Sequence, residues 1–288
     1  MKQTICCKKT KKRQYVDYVH IKGNEMSAVL IEKEGHIARL ILNRPDKLNA
    51  LNLDMALELF KCTEELKSDG DIKCVIVSGA GDHFMAGGDI DYFKSLVDAF
   101  AIEGESALPN TIFDLLHGAI INITSMDKPV IASVKGAVAG FGLSLMLACD
   151  MVVIADDAVL SVAYCKIGTS PDGGMTYFLP RVIGQKRAMQ LAMTGERFSA
   201  EQAERWGMVN HVVSVDDLLV TTNKLTSQLV KGPSTVLART KRLLNDSSDA
   251  SLKQHLDEEA ATFFSCMIEH DFTEGVTAFS ERREATFK

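Results

Sequence analysis

The sequence predicts an α/β protein, and three observations carry that expectation. Runs rich in β-branched residues alternate with segments whose apolar residues recur at helical spacing. Each such run passes into a loop of small residues, and no Pro/Gly/Ser-rich linker divides the chain. Beyond about residue 197 the pattern turns mainly helical. With 288 residues, 46% hydrophobic and 24% charged, the chain is long and apolar enough to bury a large core.

The elements follow in order. The stretch "SAVLIEKEGHIARLILNRP" reads as a hairpin of two strands joined at Glu34 and Gly35. After "RPDKLNALN", Leu53, Ala56, Leu57 and Phe60 fall on one helical face, which Met55, Leu59, Cys62 and Leu66 widen. "IKCVIVSG" is apolar throughout, as a strand covered on both faces must be, and "PVIASVKG" repeats that design after a helix over roughly 110–126. A helix after Gly140 and the strand "MVVIA" make a third unit. In "FSAEQAERWG", Ser199 and Gln202 have the spacing of a capping box, and 233–247 and 251–268 read as helices. Trp206 and Met146, Met151, Met175, Met189 and Met193 are expected in the core.

Composition narrows the function classes. A net charge of −6 gives no overall attraction to nucleic acid or to an anionic membrane. The longest uncharged run, the 14 residues from Gly136 to Cys149, falls short of the roughly 20 that a spanning helix needs. Seven cysteines, odd in number and without CxxC or Cys/His spacing, suit reduced thiols in a cytoplasmic setting and no metal site. Residues 1–25 carry seven Lys/Arg against two acids and no apolar stretch, so they read as a loosely held basic extension or as residues upstream of a natural start at Met26, with an arm touching a partner as a lesser alternative.

Three loops carry the candidate chemistry. In "GDHFMAGGDIDYF", Ala86, Gly87 and Gly88 allow a tight turn and close approach to a ligand. In "KGAVAGFGLSLMLACD", Gly136, Gly140 and Gly142 precede an apolar helix whose first N–H groups have no partner within it. Either loop can offer N–H groups to an anion, or simply reverse the chain. Neither matches GxGxxG or the P-loop, so nothing points directly to a nucleotide phosphate. In "GTSPDGGMTYF", Asp172 sits between a proline and two glycines, the ordinary residues of a surface turn.

Taken together, "NRPDKLNAL", "FMAGGDI", "KPVIASVKGAVAGFGLSLMLACD", "IGTSPDGGMTYFLPRVIG" and "ERFSAEQAERWGMVNHVV" resemble the crotonase superfamily of enoyl-CoA hydratases and isomerases, over roughly residues 27–287. The Asp172 stretch is most similar to the ring-isomerising branch of phenylacetate degradation, although here it reads "SPDGGMT". The resemblance implies a crotonase-like spiral of ββα units over 26–197, and a helical C-terminal region over 198–288 used to form a homotrimer or a dimer of trimers. It implies an acyl-CoA thioester as substrate, with coenzyme A part of the substrate and no other cofactor, and no nucleic-acid or membrane partner. An enolate would be held by the backbone N–H groups of Gly88 and Phe141.

Hydratases of this family use two glutamates, and motif matching puts Ser144 and Tyr164 at those places. Asp172 then remains as the carboxylate, and one carboxylate suffices to move a double bond by carrying a proton. Three readings stay open: an isomerase with Asp172 as proton shuttle; a hydratase, lyase or hydrolase of the same family; and a non-catalytic acyl-CoA-binding module. For coenzyme A the resemblance implies Lys47, the segment Ala86, Gly88, Asp89 and Ile90, Phe141, and the C-terminal Phe279 and Arg282. The plain alternatives are exposed charges, a packed phenyl ring, and Asp89 as a helix cap. His83, His117 and Tyr164 are expected to be solvated or packed.

Overall fold

The computed structural model describes residues 27–107 and 110–288; the basic extension expected over 1–25 lies outside them. β1 (Val29–Glu34) and β2 (Ile37–Leu42) form the expected hairpin, which turns at Gly35. β3 (Cys74–Gly79), β4 (Val130–Val134), β6 (Met151–Ala155) and β9 (His211–Val213) extend it into a six-stranded sheet of order β1-β2-β3-β4-β6-β9. Only the β1–β2 pairing is antiparallel; the other four are parallel.

The register explains why the central strands are apolar on both faces over most of their length. Leu40, Val77, Ala132 and Val152 stand in one row across β2, β3, β4 and β6, all buried in the main core. The alternate positions Cys74, Ile131 and Val153 face the other way, into a smaller cluster closed by Leu218 of α8 (Leu218–Val230). A strand with helices on both sides has no polar face to show.

On the main side lie α1 (Leu53–Ser68) and α3 (Asn110–Ser125). Asn52 starts α1 by accepting the Met55 N–H at 3.0 Å. Met55, Leu59 and Leu66 are fully buried, and a Cβ at Gly118 of α3 would stand 2.5 Å from the Phe60 ring, so the glycine sets how closely the two helices approach. α2 (Ile90–Glu103) lies between β3 and α3 in the chain and has no buried residue.

A second sheet holds β5 (Ala137–Ala139), β7 (Val159–Ser161) and β8 (Arg197–Ser199), in that order. α4 (Phe141–Ala148) follows β5 and is buried over its whole length. α5 (Met175–Ile183) and α6 (Gln185–Thr194) lead to β8, after which Ser199 opens α7 (Ala200–Arg205) with the expected capping box. The border drawn at 197/198 falls inside β8, and β9 beyond it adds the sixth strand of the main sheet.

The chain closes with α9 (Ser234–Asp246), α10 (Leu252–Met267) and α11 (His270–Glu281). Lys241 ties α9 to the sheet, donating to the carbonyls of Ile123 and Lys128 at 2.8 and 3.2 Å and pairing with Asp150 at 2.8 Å. Two core assignments need correction. Met189 and Met193 lie on the outer face of α6, where they are exposed, because the buried side of that short helix is formed by Ala188 and Leu191. No described helix is long and apolar enough to cross a membrane.

Candidate active site

Backbone pairing brings the glycine loops together. The Met85 N–H donates to Ala137 O at 3.1 Å and the Ala139 N–H to Met85 O at 2.9 Å, so the two loops run side by side. Glycine makes this possible: a Cβ at Gly87 would stand 3.2 Å from Ala139 O, and one at Gly142 only 2.3 Å from Met85 O. The "RPDKLNAL" segment forms the third side, with Ala86 N–H donating to Leu48 O and Leu51 N–H to Gly87 O. Asn49, fully buried and left-handed at φ 55°, links these parts through its side chain, which donates to Ala80 O and His83 O and accepts the Arg44 N–H.

Within this arrangement the N–H groups of Gly88 and Phe141 stand apart. Among the described residues neither donates to any acceptor. Phe141 is the first residue of α4, after Gly140 at φ 50°, so its N–H is one of the helix's unpaired donors. The site thus offers two free backbone donors on adjoining loops, a geometry suited to an oxyanion.

Asp172 is held over the same end of α4 from three directions. The Ser144 hydroxyl donates to its carbonyl at 2.8 Å, the Tyr164 phenol donates to its Oδ1, and the two hydroxyls lie 3.4 Å apart. The Met175 N–H donates to the same Asp172 carbonyl at 3.1 Å. Gly173 and Gly174 follow at φ 61° and 82°, and a Cβ on Gly173 would meet the Phe141 ring at 2.8 Å. The two glycines therefore permit the loop to lie against α4, which answers why they follow the aspartate. Tyr164 enters from a short 3-10 turn, Tyr164–Ile167, and is buried. Burial, and then the neighbouring carboxylate of Asp172, push its phenol well above the usual range.

The remaining candidates separate. Asp89 caps α2, accepting the Asp91 and Tyr92 N–H groups, and pairs with Arg44 at 2.9 Å. Burial opposes its charge, but these bonds outweigh it and hold the carboxyl below the usual range. It is occupied in the cap. Lys47 pairs at the surface with Asp91 at 2.9 Å, and Ile90 is exposed at the start of α2. Phe279 is 88% exposed on α11, and Arg282 caps that helix in a left-handed conformation. α11 packs on α10, and among the described residues its side chains bond within the C-terminal tail, Glu274 to Arg283 and Thr286, and Asp271 to Lys288.

His83 accepts the Ala137 N–H on Nδ1 at 3.1 Å, so it braces β5. His117 packs near the Phe113 ring on α3. Tyr164 is packed in the main core as expected, and its hydroxyl also reaches Asp172, eight residues on. Arg44 and Asn49 were not singled out from sequence; "NRP" and "LNAL" look like ordinary turn residues, and only the paired loops give them partners.

Comparisons with known proteins bear on the family and the fold. The family model described as Enoyl-CoA hydratase/isomerase matches residues 32–288. The chain is 34% identical to 1,2-epoxyphenylacetyl-CoA isomerase of Escherichia coli over 91% of this chain and 98% of that one. It is 33% identical to crotonyl-CoA hydratase of Syntrophomonas wolfei, over 90% and 97% of the two chains. Among solved structures, an enoyl-CoA hydratase from a Polaromonas species superposes with a TM-score of 0.84 at 33% identity, covering 90% of this chain and 99% of that one. The shared fold, the paired glycine loops and the matched length together lead to one conclusion: the chain belongs to the enoyl-CoA hydratase/isomerase family of the crotonase superfamily.

Proposed function

We propose that the chain is an enoyl-CoA isomerase that shifts a double bond through a thioester enolate. One observation carries this reading: the places where hydratase motifs carry glutamates hold Ser144 and Tyr164, and both hydroxyls hold Asp172, a carboxylate in the loop beside α4. Hydration needs a carboxylate-held water as well as a proton for the α-carbon, whereas a double-bond shift needs one base that takes a proton and gives it back.

Asp172 takes the α-proton of a 3-enoyl thioester. The C–H electrons pass into a dienolate whose charge settles on the thioester oxygen, between the N–H groups of Gly88 and Phe141. Each such donor contributes about 2.7–4 kcal/mol to the transition state. Asp172 then returns the proton at the γ-carbon, and a base so placed is worth about 10²–10⁴ in rate. For coenzyme A, Lys47 at the surface can exchange Asp91 for a phosphate, with Ala86, Gly88 and Ile90 beside the pantetheine and Phe279 and Arg282 as contacts from the same or a neighbouring subunit. Asp89 supports this segment through the cap of α2.

The oligomer belongs to the same proposal: a homotrimer or a pair of trimers, supported by the apolar residues that α10 and α11 leave exposed, among them Phe264 and Ile268. The function is tested by product analysis. With 3-enoyl-CoA substrates of several chain and ring types, 2-enoyl-CoA is expected, and with 2-enoyl-CoA little 3-hydroxyacyl-CoA. Rapid hydration without any double-bond shift supports a hydratase instead, and tight binding without turnover supports a binding module.

A further inference from the structure

We infer that Tyr164 is a positioning residue that fixes the Asp172 carboxylate by one oxygen and leaves the other free to move the proton. The inference rests on the reading of Asp172 as the base. Its ground is the way the two oxygens differ: Oδ1 accepts the Tyr164 hydroxyl, whereas Oδ2 accepts no hydrogen bond from any described residue. Ser144 holds the backbone carbonyl of the same residue, so both the main chain and the side chain are anchored. A Cβ placed on Gly140, next to the Phe141 donor, would lie 4.0 Å from the Tyr164 ring, so the phenol lies close to the loop that carries an oxyanion donor.

The surroundings leave this task to Tyr164. From α4, Ser144 and Phe141 face the loop; from α5, Phe178 packs on Gly174; from the short turn, Tyr164 itself. Among the described residues no Lys, Arg or His pairs with Asp172, and its carboxylate is held by the Tyr164 hydroxyl alone. The buried phenol keeps its proton beside the carboxylate, which makes it a lasting donor and unsuited to be the base. During the reaction it therefore loses nothing: Oδ2 receives the α-proton, the C–H pair enters the dienolate, and Tyr164 stays bonded to Oδ1 throughout.

Removing the bond should loosen the aim of the carboxylate. Tyr164→Phe keeps the ring and hence the packing. In this variant kcat is expected to fall about tenfold with KM changed less than about twofold. Ser144→Ala, which frees the main chain only, is expected to lower kcat less than Tyr164→Phe does. Asp172→Asn is measured alongside. If it is inactive while Tyr164→Phe keeps the parent kcat and KM, the positioning role is overturned and the base stands. If Asp172→Asn remains active, both fall together.

Discussion

At the scale of single residues, the site depends on glycines as much as on the aspartate. Gly173 is the sharpest case, because it needs both a left-handed backbone at φ 61° and the absence of a side chain against the Phe141 ring, 2.8 Å from its Cβ position, and Ser144 Cβ, at 3.1 Å. An alanine there costs about 1–2 kcal/mol for the backbone alone, and relief of the contacts must come from moving the loop. Gly173→Ala is accordingly expected to lower the unfolding midpoint and to reduce turnover at least tenfold, with acyl-CoA affinity changed little. Parallel measurements of thermal unfolding, turnover and binding check this. Unchanged turnover would mean that the position of the loop does not matter to the chemistry.

At the scale of elements, most of the fold was legible. The hairpin, α1, α3 and β4 lie close to where periodicity places them, because each buries apolar residues in the main core, and α9 and α10 lie close to their expected ranges although they enclose almost nothing. The second sheet was not legible: β5, β7 and β8 have three residues each, too few for an alternating pattern to stand out. β9, the sixth strand of the main sheet, was missed for the same reason. The loop carrying Asp172 was legible as a turn by its Pro, Asp and Gly residues, but its hold by Tyr164 and Ser144 was not. Those bonds join residues 8 and 28 positions apart, through loops whose course only the packed sheets fix. Lys241 teaches the same lesson, since a helical lysine reads as solvated until its three acceptors on Ile123, Lys128 and Asp150 are in place.

At the scale of the whole molecule, the two ends of the chain treat apolar residues differently. The six-stranded sheet, α1 and α4 enclose most of theirs, whereas α10, its cap Ile268 and α11 present Phe263, Phe264, Ile268 and Phe279 to solvent. Large apolar residues gathered on a helical tail mark a contact surface. Light scattering of the purified chain is expected to give three or six times the 31.5 kDa of one copy; a single copy at micromolar concentration would contradict assembly through this tail. Ile268→Asp, which sets a charge on a residue 87% exposed in the single chain, is expected to lower that mass while leaving the fold intact.

The chemistry itself is tested most directly by exchange of the substrate's α-proton in deuterated water, followed in the parent protein and in Asp172→Asn. The amide keeps the size of the side chain, and the N–H groups of Gly88 and Phe141 remain, so acyl-CoA affinity should be nearly unchanged. Exchange and conversion of 3-enoyl-CoA to 2-enoyl-CoA should fall together by about 10²–10⁴, since both begin with the same abstraction. Near-normal exchange in Asp172→Asn would contradict the assignment of Asp172 as the group that moves the proton.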